Sequence, residues 1–192
     1  MEGNLREDGG IRWKQTSNDM INYKEKLAPV KAFVFDFDGV MTNGDVWTYG
    51  DGETVRCGNI KDGFAIQYAV KKGYTIAVIS GATSKSIDNR MRSLGVEQVF
   101  TGCGDKIKTY EKFLADNGLI DKQVLYMGDD LPDYPLLKRA GVATCPADAA
   151  EEVKTIADYI SLQPGGKGCV RDVIEQVLRL HGNWFHEDAV VW

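Results

Sequence analysis

Two aspartates one residue apart, Asp36 and Asp38 in "KAFVFDFDGVMTNG", stand where an apolar run gives out, and a glycine follows at once. Further along, "YTIAVIS" ends in Ser80, and "QVLYMGD" ends in Asp129 with Asp130 beside it. If each apolar run is a strand of one parallel sheet, the polar residues that end them converge outside its carboxyl edge, where open α/β sheets bind their ligands. That gathers four carboxylates and a hydroxyl in one crevice. Two like charges ~4 Å apart repel by about 4 kcal/mol at an effective dielectric of 20, so such a cluster either protonates or binds a cation. Oxygen donors without His or Cys select a hard ion, and Mg²⁺ is the expected one. Lys106, in "GDKIKTY" at a predicted helix start, adds a compensating positive charge. A carboxylate beside a metal ion and an ammonium group is suited to attack phosphorus, because both cations stabilise the negative charge that develops there.

The elements that must position these residues follow from periodicity. "VKAFVFD" (30–36), "YTIAVIS" (74–80) and "QVLYMGD" (123–129) are rich in β-branched and aromatic residues and predict buried strands, with weaker ones at "VATC" and "DYIS". Helical patterns lie between them in "DGFAIQYAVKKG", "SKSIDNRMRSLG", "DKIKTYEKFLADNG" and "PDYPLLKRAG", each meeting a glycine where its period ends, and "CVRDVIEQVLRLHG" closes the series. Strands alternating with helices imply βαβ units, hence an α/β fold with a doubly wound parallel sheet covered on both faces. One segment, 43–59, alternates apolar and polar residues around Gly50-Asp51-Gly52 and predicts a β-hairpin inserted after the first strand. Residues 1–29 have no convincing period and are expected to form a disordered or appended extension. Met20 is a possible native start, and Ile11 and Trp13 are the residues with reason to dock. The domain is then 30–181, with a tail over 182–192.

Composition limits the function classes. A length of 192 residues suits one domain, and 43% hydrophobic with 27% charged residues is ordinary for a soluble globular chain. No apolar run is long enough to cross a bilayer and no signal-peptide core is visible, so a cytoplasmic location without membrane contact is expected. A net charge of −5 argues against a nucleic-acid binder, which needs clustered Lys and Arg, but leaves room for a small anionic substrate held by local charge. Cys57, Cys103, Cys145 and Cys169 form no CxxC pair and are expected to be buried free thiols. His181 and His186 fall away from every motif and receive no role.

"DFDGVMT", "VISG", Lys106 and "MGDDLPD" occur in the order and approximate spacing of the four motifs of the haloacid dehalogenase superfamily of aspartate-nucleophile phosphatases, a resemblance that runs from about Val30 to Leu180. With "NIKDGFAI", "SGATSKSIDNRMRSLGV" and "GGKGCVRDVIEQVL", the chain resembles the small capless subgroup that contains 3-deoxy-D-manno-octulosonate 8-phosphate phosphatase. The span before "VISG" has room for a hairpin flap and none for a large cap domain. The resemblance implies that Asp36 is the nucleophile and a metal ligand, forming an aspartyl-phosphate. It implies that Asp38 protonates the leaving alcohol, later deprotonates the attacking water, and lends its backbone carbonyl to the metal. Asp129 would be the side-chain metal ligand, while Ser80, Gly81 and Lys106 would hold phosphoryl oxygens. Asp130 and Asp133 would stand behind these, one tuning the metal's water and the other orienting Lys106.

Outside the four motifs the readings stay divided. Arg90 matches an arginine that in relatives is associated with the sugar-acid carboxylate; on the residues alone it is a surface arginine pairing with Asp88 or Glu97. Relatives are tetramers whose hairpin and tail cover a neighbour's crevice, which implies a homotetramer. Trp47 and Tyr49 would face either substrate or another subunit. "PGGKG" would be either a close-approaching cover, with Lys167 or Arg171 meeting an anionic substrate, or a plain loop. Trp184, Phe185 and Trp192 are expected to bury against another subunit or to be disordered. Ala82 departs from the subgroup, where octulosonate phosphatases carry Arg and nonulosonate relatives Glu. The expected activity is Mg²⁺-dependent hydrolysis of a phosphorylated 3-deoxy-2-ulosonic acid, the octulosonate 8-phosphate first and a nonulosonate 9-phosphate second. A silent oligomerisation module is the alternative from another class, and intact Asp36, Asp38, Lys106 and Asp129 speak against it.

Overall fold

The structure, a computed structural model, describes residues 22–190 apart from 51 and 53. In chain order the strands are β1 Ala32–Phe35, β2 Trp47–Thr48, β3 Thr54–Val55, β4 Thr75–Ile79, β5 Gln98–Phe100, β6 Val124–Met127, β7 Val142–Cys145 and β8 Tyr159–Ile160. The helices are α1 Tyr23–Leu27, α2 Ile60–Lys71, α3 Lys85–Ser93, α4 Lys106–Asn117, α5 Tyr134–Leu137, α6 Glu151–Lys154 and α7 Cys169–Leu180. Six strands form one parallel sheet in the order β5-β4-β1-β6-β7-β8, and β2 pairs with β3 as the separate antiparallel hairpin. From β1 the chain runs outward through β4 and β5, then crosses back to β6 on the other flank. The crevice at that reversal opens beside the end of β1.

The central strands read as unbroken apolar runs because both their faces are covered. Phe33 and Phe35 of β1 enter one layer with Ile76, Val78, Leu125 and Met127, closed by residues of α2 and α7. Ala32 and Val34 point the other way, with Ala77, Ile79 and Tyr126, against Tyr110, Phe113 and Val153 of the opposite helices. Side chains two apart thus share a layer, as pleating requires. Helix starts carry their own signals: Asn59 accepts from the Lys61 N–H, Ser84 from Ser86 and Asp105 from Lys108. No helix among the described residues is long and apolar enough to cross a membrane.

Several expectations are corrected. The strands stop before the polar residues assigned to their ends, so Asp36, Ser80 and Asp129 stand on the turns just beyond β1, β4 and β6. Strand β5 was not foreseen, because three residues carry too little periodicity. The domain starts before residue 30: Leu27 of α1 is buried, Tyr23 stacks on Tyr159 with ring centroids 4.9 Å apart, and Lys26 pairs with Asp158. Ile11, Trp13 and Met20 lie outside the described residues, as does Trp192. In the tail, Trp184 packs within its own chain, edge-on to Phe64 and Tyr68 and beneath the guanidinium groups of Arg171 and Arg179, while Phe185 is exposed. Of the four cysteines only Cys145 and Cys169 are buried; Cys57 is exposed and Cys103 half-buried.

The "PGGKG" loop does make a close approach, to the loop that follows β1 in its own chain. A Cβ on Gly165 would lie 2.0 Å from the Gly39 carbonyl oxygen, and Gly166, at φ +62°, donates its N–H to the Val40 carbonyl at 2.9 Å. Arg171 is turned away from the crevice: its side chain pairs with Glu175 and its N–H donates to Asp62 at 2.7 Å. Lys167 is exposed. The backbone contact at Gly165 cannot yield as a flexible side chain could. Gly165→Ala should therefore cost about 1–3 kcal/mol of stability and lower activity by shifting the loop that carries Asp38, read by thermal melting and turnover of the same sample. Unchanged melting and turnover would show the two loops to be independent.

Candidate active site

Asp36 leaves β1 still in register, its N–H donating to the Met127 carbonyl at 3.0 Å. Its Oδ1 accepts from the Phe37 N–H at 2.7 Å and lies 3.1 Å from Lys106 Nζ, which leaves Oδ2 for a substrate or cation. Lys106, the first residue of α4, is buried and donates to Asp133 Oδ1 at 2.6 Å. Asp133 is held on every side: Oδ1 also accepts from the Tyr126 hydroxyl at 2.6 Å, and Oδ2 from the Asp129 N–H at 3.1 Å. The carboxylate that orients the lysine is thus itself fixed from β6 and from the turn leading into α5.

Two glycines allow this crowding. Gly39 has φ +84°, and a Cβ there would lie 2.0 Å from Asp129 Oδ2, so only glycine lets that carboxylate rest over the backbone. A Cβ on Gly128 would meet Asp133 at 2.4 Å. Ser80 is buried; its Oγ accepts from the Ala82 N–H at 3.2 Å, which keeps the hydroxyl hydrogen for an incoming anion. Asp36, Gly39, Ser80, Lys106, Asp129 and Asp133 line a cavity of about 340 Å³, with Asp38, Gly81, Ala82 and the exposed Asp130 among its walls.

The electrostatics are unbalanced. Burial, then the Asp133 charge, push Asp36 up to about 7 against the attraction of Lys106. Burial followed by Asp133 and Asp130 raises Asp129 to about 7 as well. Burial alone would lower Lys106, but the charges of Asp36 and Asp133 outweigh it and hold the ammonium form. Oxygens of Asp36, Asp129 and Asp133 all lie within 4.8 Å of one another, a donor set that suits a hard divalent cation. Because Asp133 has both oxygens engaged, the carboxylates open to a cation are those of Asp36 and Asp129. The residues present therefore fit Mg²⁺.

Asp38 behaves differently: its Oδ1 pairs with Arg56 Nε, a residue just beyond β3 of the hairpin. Sequence reasoning missed Arg56, although Thr54 and Arg56 share a face by strand alternation. It also missed Tyr126, which reads as one more core residue of β6. Arg90 does not reach the acidic cavity. It is exposed and lines a separate cleft of about 30 Å³ with Asp62 and Gly63, while Asp88, one of its two expected partners, pairs with Arg92.

Residues 102–171 match the haloacid dehalogenase-like hydrolase family. The chain is 31% identical over 154 residues to the 3-deoxy-D-manno-octulosonate 8-phosphate phosphatase of Yersinia pestis, covering 80% of this chain and 82% of that one. The crystal structure of the Moraxella catarrhalis 3-deoxy-D-manno-octulosonate 8-phosphate phosphatase, in complex with magnesium, phosphate and KDO, superposes with a TM-score of 0.83 at 28% identity, covering 86% of this chain and 95% of that one. The cobalt-bound form of the Haemophilus influenzae enzyme gives 0.81 at 28% identity, covering 87% and 99%. The chain therefore belongs to the haloacid dehalogenase-like hydrolases, as a phosphoric monoester hydrolase of the branch that holds the octulosonate 8-phosphate phosphatases.

Proposed function

We propose that the chain hydrolyses a phosphorylated 3-deoxy-2-ulosonic acid, with 3-deoxy-D-manno-octulosonate 8-phosphate as the first candidate, through an aspartyl-phosphate on Asp36. The observation that carries this is the Asp36 carboxylate, buried at the floor of the cavity with one oxygen tied to Phe37 N–H and Lys106 and the other open. That oxygen attacks phosphorus; Lys106 and the Ser80 hydroxyl hold the equatorial phosphoryl oxygens. Asp38 gives a proton to the departing alkoxide, then takes one from the water that opens the aspartyl-phosphate, so that each turnover restores its state. Mg²⁺, held by Asp36, Asp129 and the Asp38 carbonyl, would neutralise charge on the transferring phosphoryl group. Asp133 and Tyr126 keep Lys106 aimed, and Asp130 stands at the rim.

The substrate class rests on the relatives' activity. Trp47 and Tyr49 of the hairpin are 69% and 60% exposed, more apolar surface than a lone flap has reason to show. A second copy of this chain, within a homotetramer, is the partner proposed to cover the crevice. Ala82 can neither pair with nor hydrogen-bond to the sugar, so a nonulosonate 9-phosphate remains the second reading. Release of phosphate from sugar-acid phosphates, with hexose phosphates and nucleotides as controls, tests the class. A preference for the controls would reject it.

Asp36→Asn should lower turnover by roughly 10⁴-fold or more while leaving the melting temperature near that of the wild type; substantial residual turnover would rule out covalent catalysis by this residue. The pH dependence has a definite sign. Asp36 and Asp129 have folded values near 7 against an ordinary 3.8, so between these values the folded state binds more protons than the unfolded one. Their contribution is fully present below pH ~4 and lost as pH rises through 7. In EDTA the protein should melt at a lower temperature at pH 8 than these groups allow at pH 5.5. Mg²⁺ should raise the melting temperature more at pH 8, and Asp129→Asn should remove most of that gain. Equal melting with EDTA and with Mg²⁺ at pH 8 would exclude a cation from the cluster.

A further inference from the structure

The hairpin is exposed over most of its described length, yet the residue just beyond β3 turns its side chain inward. Arg56 is 10% exposed; its Nε bonds to Asp38 Oδ1 at 2.5 Å, and its Nη1 donates to Thr54 Oγ1 at 3.0 Å. Two donors of the planar fork are thus committed, one to the hairpin and one to the loop after β1, which fixes the guanidinium in place. Two further ties hold the same base: a bridge between Thr42 and Gly58, and the Asn59 side-chain amide donating to the Gly166 carbonyl at 3.3 Å. Asp38 has no comparable support from the sheet. Its side chain is 30% exposed on a turn that lines the cavity, and among the described residues its other oxygen accepts no hydrogen bond.

We propose that Arg56 is a positioning residue for the leaving-group step, holding the Asp38 carboxyl group in the rotamer that presents its second oxygen to the ester oxygen. The inference rests on the acid–base reading of Asp38 given above. Arg56 touches neither phosphorus nor the ester oxygen; it acts through Asp38 and makes the seating of the hairpin a condition for proton delivery. A lysine could supply the charge but not the fork that is shared with Thr54.

The test compares wild type, D38N, R56A, R56K and the double variant D38N/R56A on p-nitrophenyl phosphate, whose leaving group needs little protonation, and on 3-deoxy-D-manno-octulosonate 8-phosphate, an alkyl ester. D38N should lower kcat on the alkyl ester by about 100-fold or more and on the aryl ester by much less. R56A should show the same split at smaller amplitude: roughly 10- to 100-fold on the alkyl ester and about threefold or less on the aryl ester, with KM within about twofold. R56K should recover part of the loss, and R56A made in the D38N background should cost no more than about twofold. A loss of equal size on both esters, a change in KM alone, or additive losses in the double variant would overturn the proposal, assigning Arg56 to the hairpin's structure or to the substrate. An equal loss on both esters for D38N itself would instead overturn the acid role of Asp38, and the inference with it.

Discussion

Repulsion among buried carboxylates is the constraint around which the site is arranged. Asp36, Asp129 and Asp133 sit closer together than free charges tolerate, and the chain answers with one internal cation, Lys106, clamped between two of them. Removing charges from water costs several kcal/mol per ion unless partners and hydrogen bonds compensate. Asp133 has that compensation in full, from Lys106, Tyr126 and the Asp129 N–H. Asp36 and Asp129 do not, and both are pushed toward neutrality. The unmet demand for positive charge suits the cavity to a divalent cation, and it is on this ground that the cavity is proposed to take a phosphoryl group.

The sheet serves this arrangement by delivering the groups separately. Asp36 comes from β1 at the centre, Ser80 from β4 on one side, Asp129 and Asp133 from β6 on the other, and Lys106 from the first turn of α4 after β5. No two of these elements could supply the set alone. Backbone proximity at Gly39 and Gly128 closes the last distances, since any side chain there would occupy the space that the carboxylates hold. The close packing of Phe33, Phe35, Leu125 and Met127 beneath the crevice keeps β1 and β6 in register, so that Asp36 and Asp129 leave their strands side by side.

Much of this was legible in the sequence because strand ends and helix starts are local signals. Asp36, Ser80, Lys106 and Asp129 each stand at such a boundary, and the alternation of elements decided the fold class. What was not legible depends on contacts far apart in the chain. Tyr126 is indistinguishable from a core tyrosine until Asp133 is folded back against its hydroxyl. Arg56 belongs to a hairpin whose direction no periodicity encodes. Arg171 and Trp184 were read toward a substrate or another subunit, whereas the amphipathic α7 places them against α2 of the same chain. Tyr23 and Leu27 lie in a stretch too short to show a helical period, and only their docking reveals that they belong to the domain.

The contact between the glycines at 165–166 and the loop at 39–40 joins residues more than a hundred positions apart, with every strand of the parallel sheet except β1 lying between them in the chain. A chain emerging from the ribosome lays down β1 and its aspartates early, but the backbone that braces them arrives only after β8. Long-range closures of this kind are the slow part of folding. A nascent copy would carry Asp36 and Asp38 without the backbone contact that braces their loop until residues 165 and 166 are in place, so that bracing comes late in the assembly of the fold.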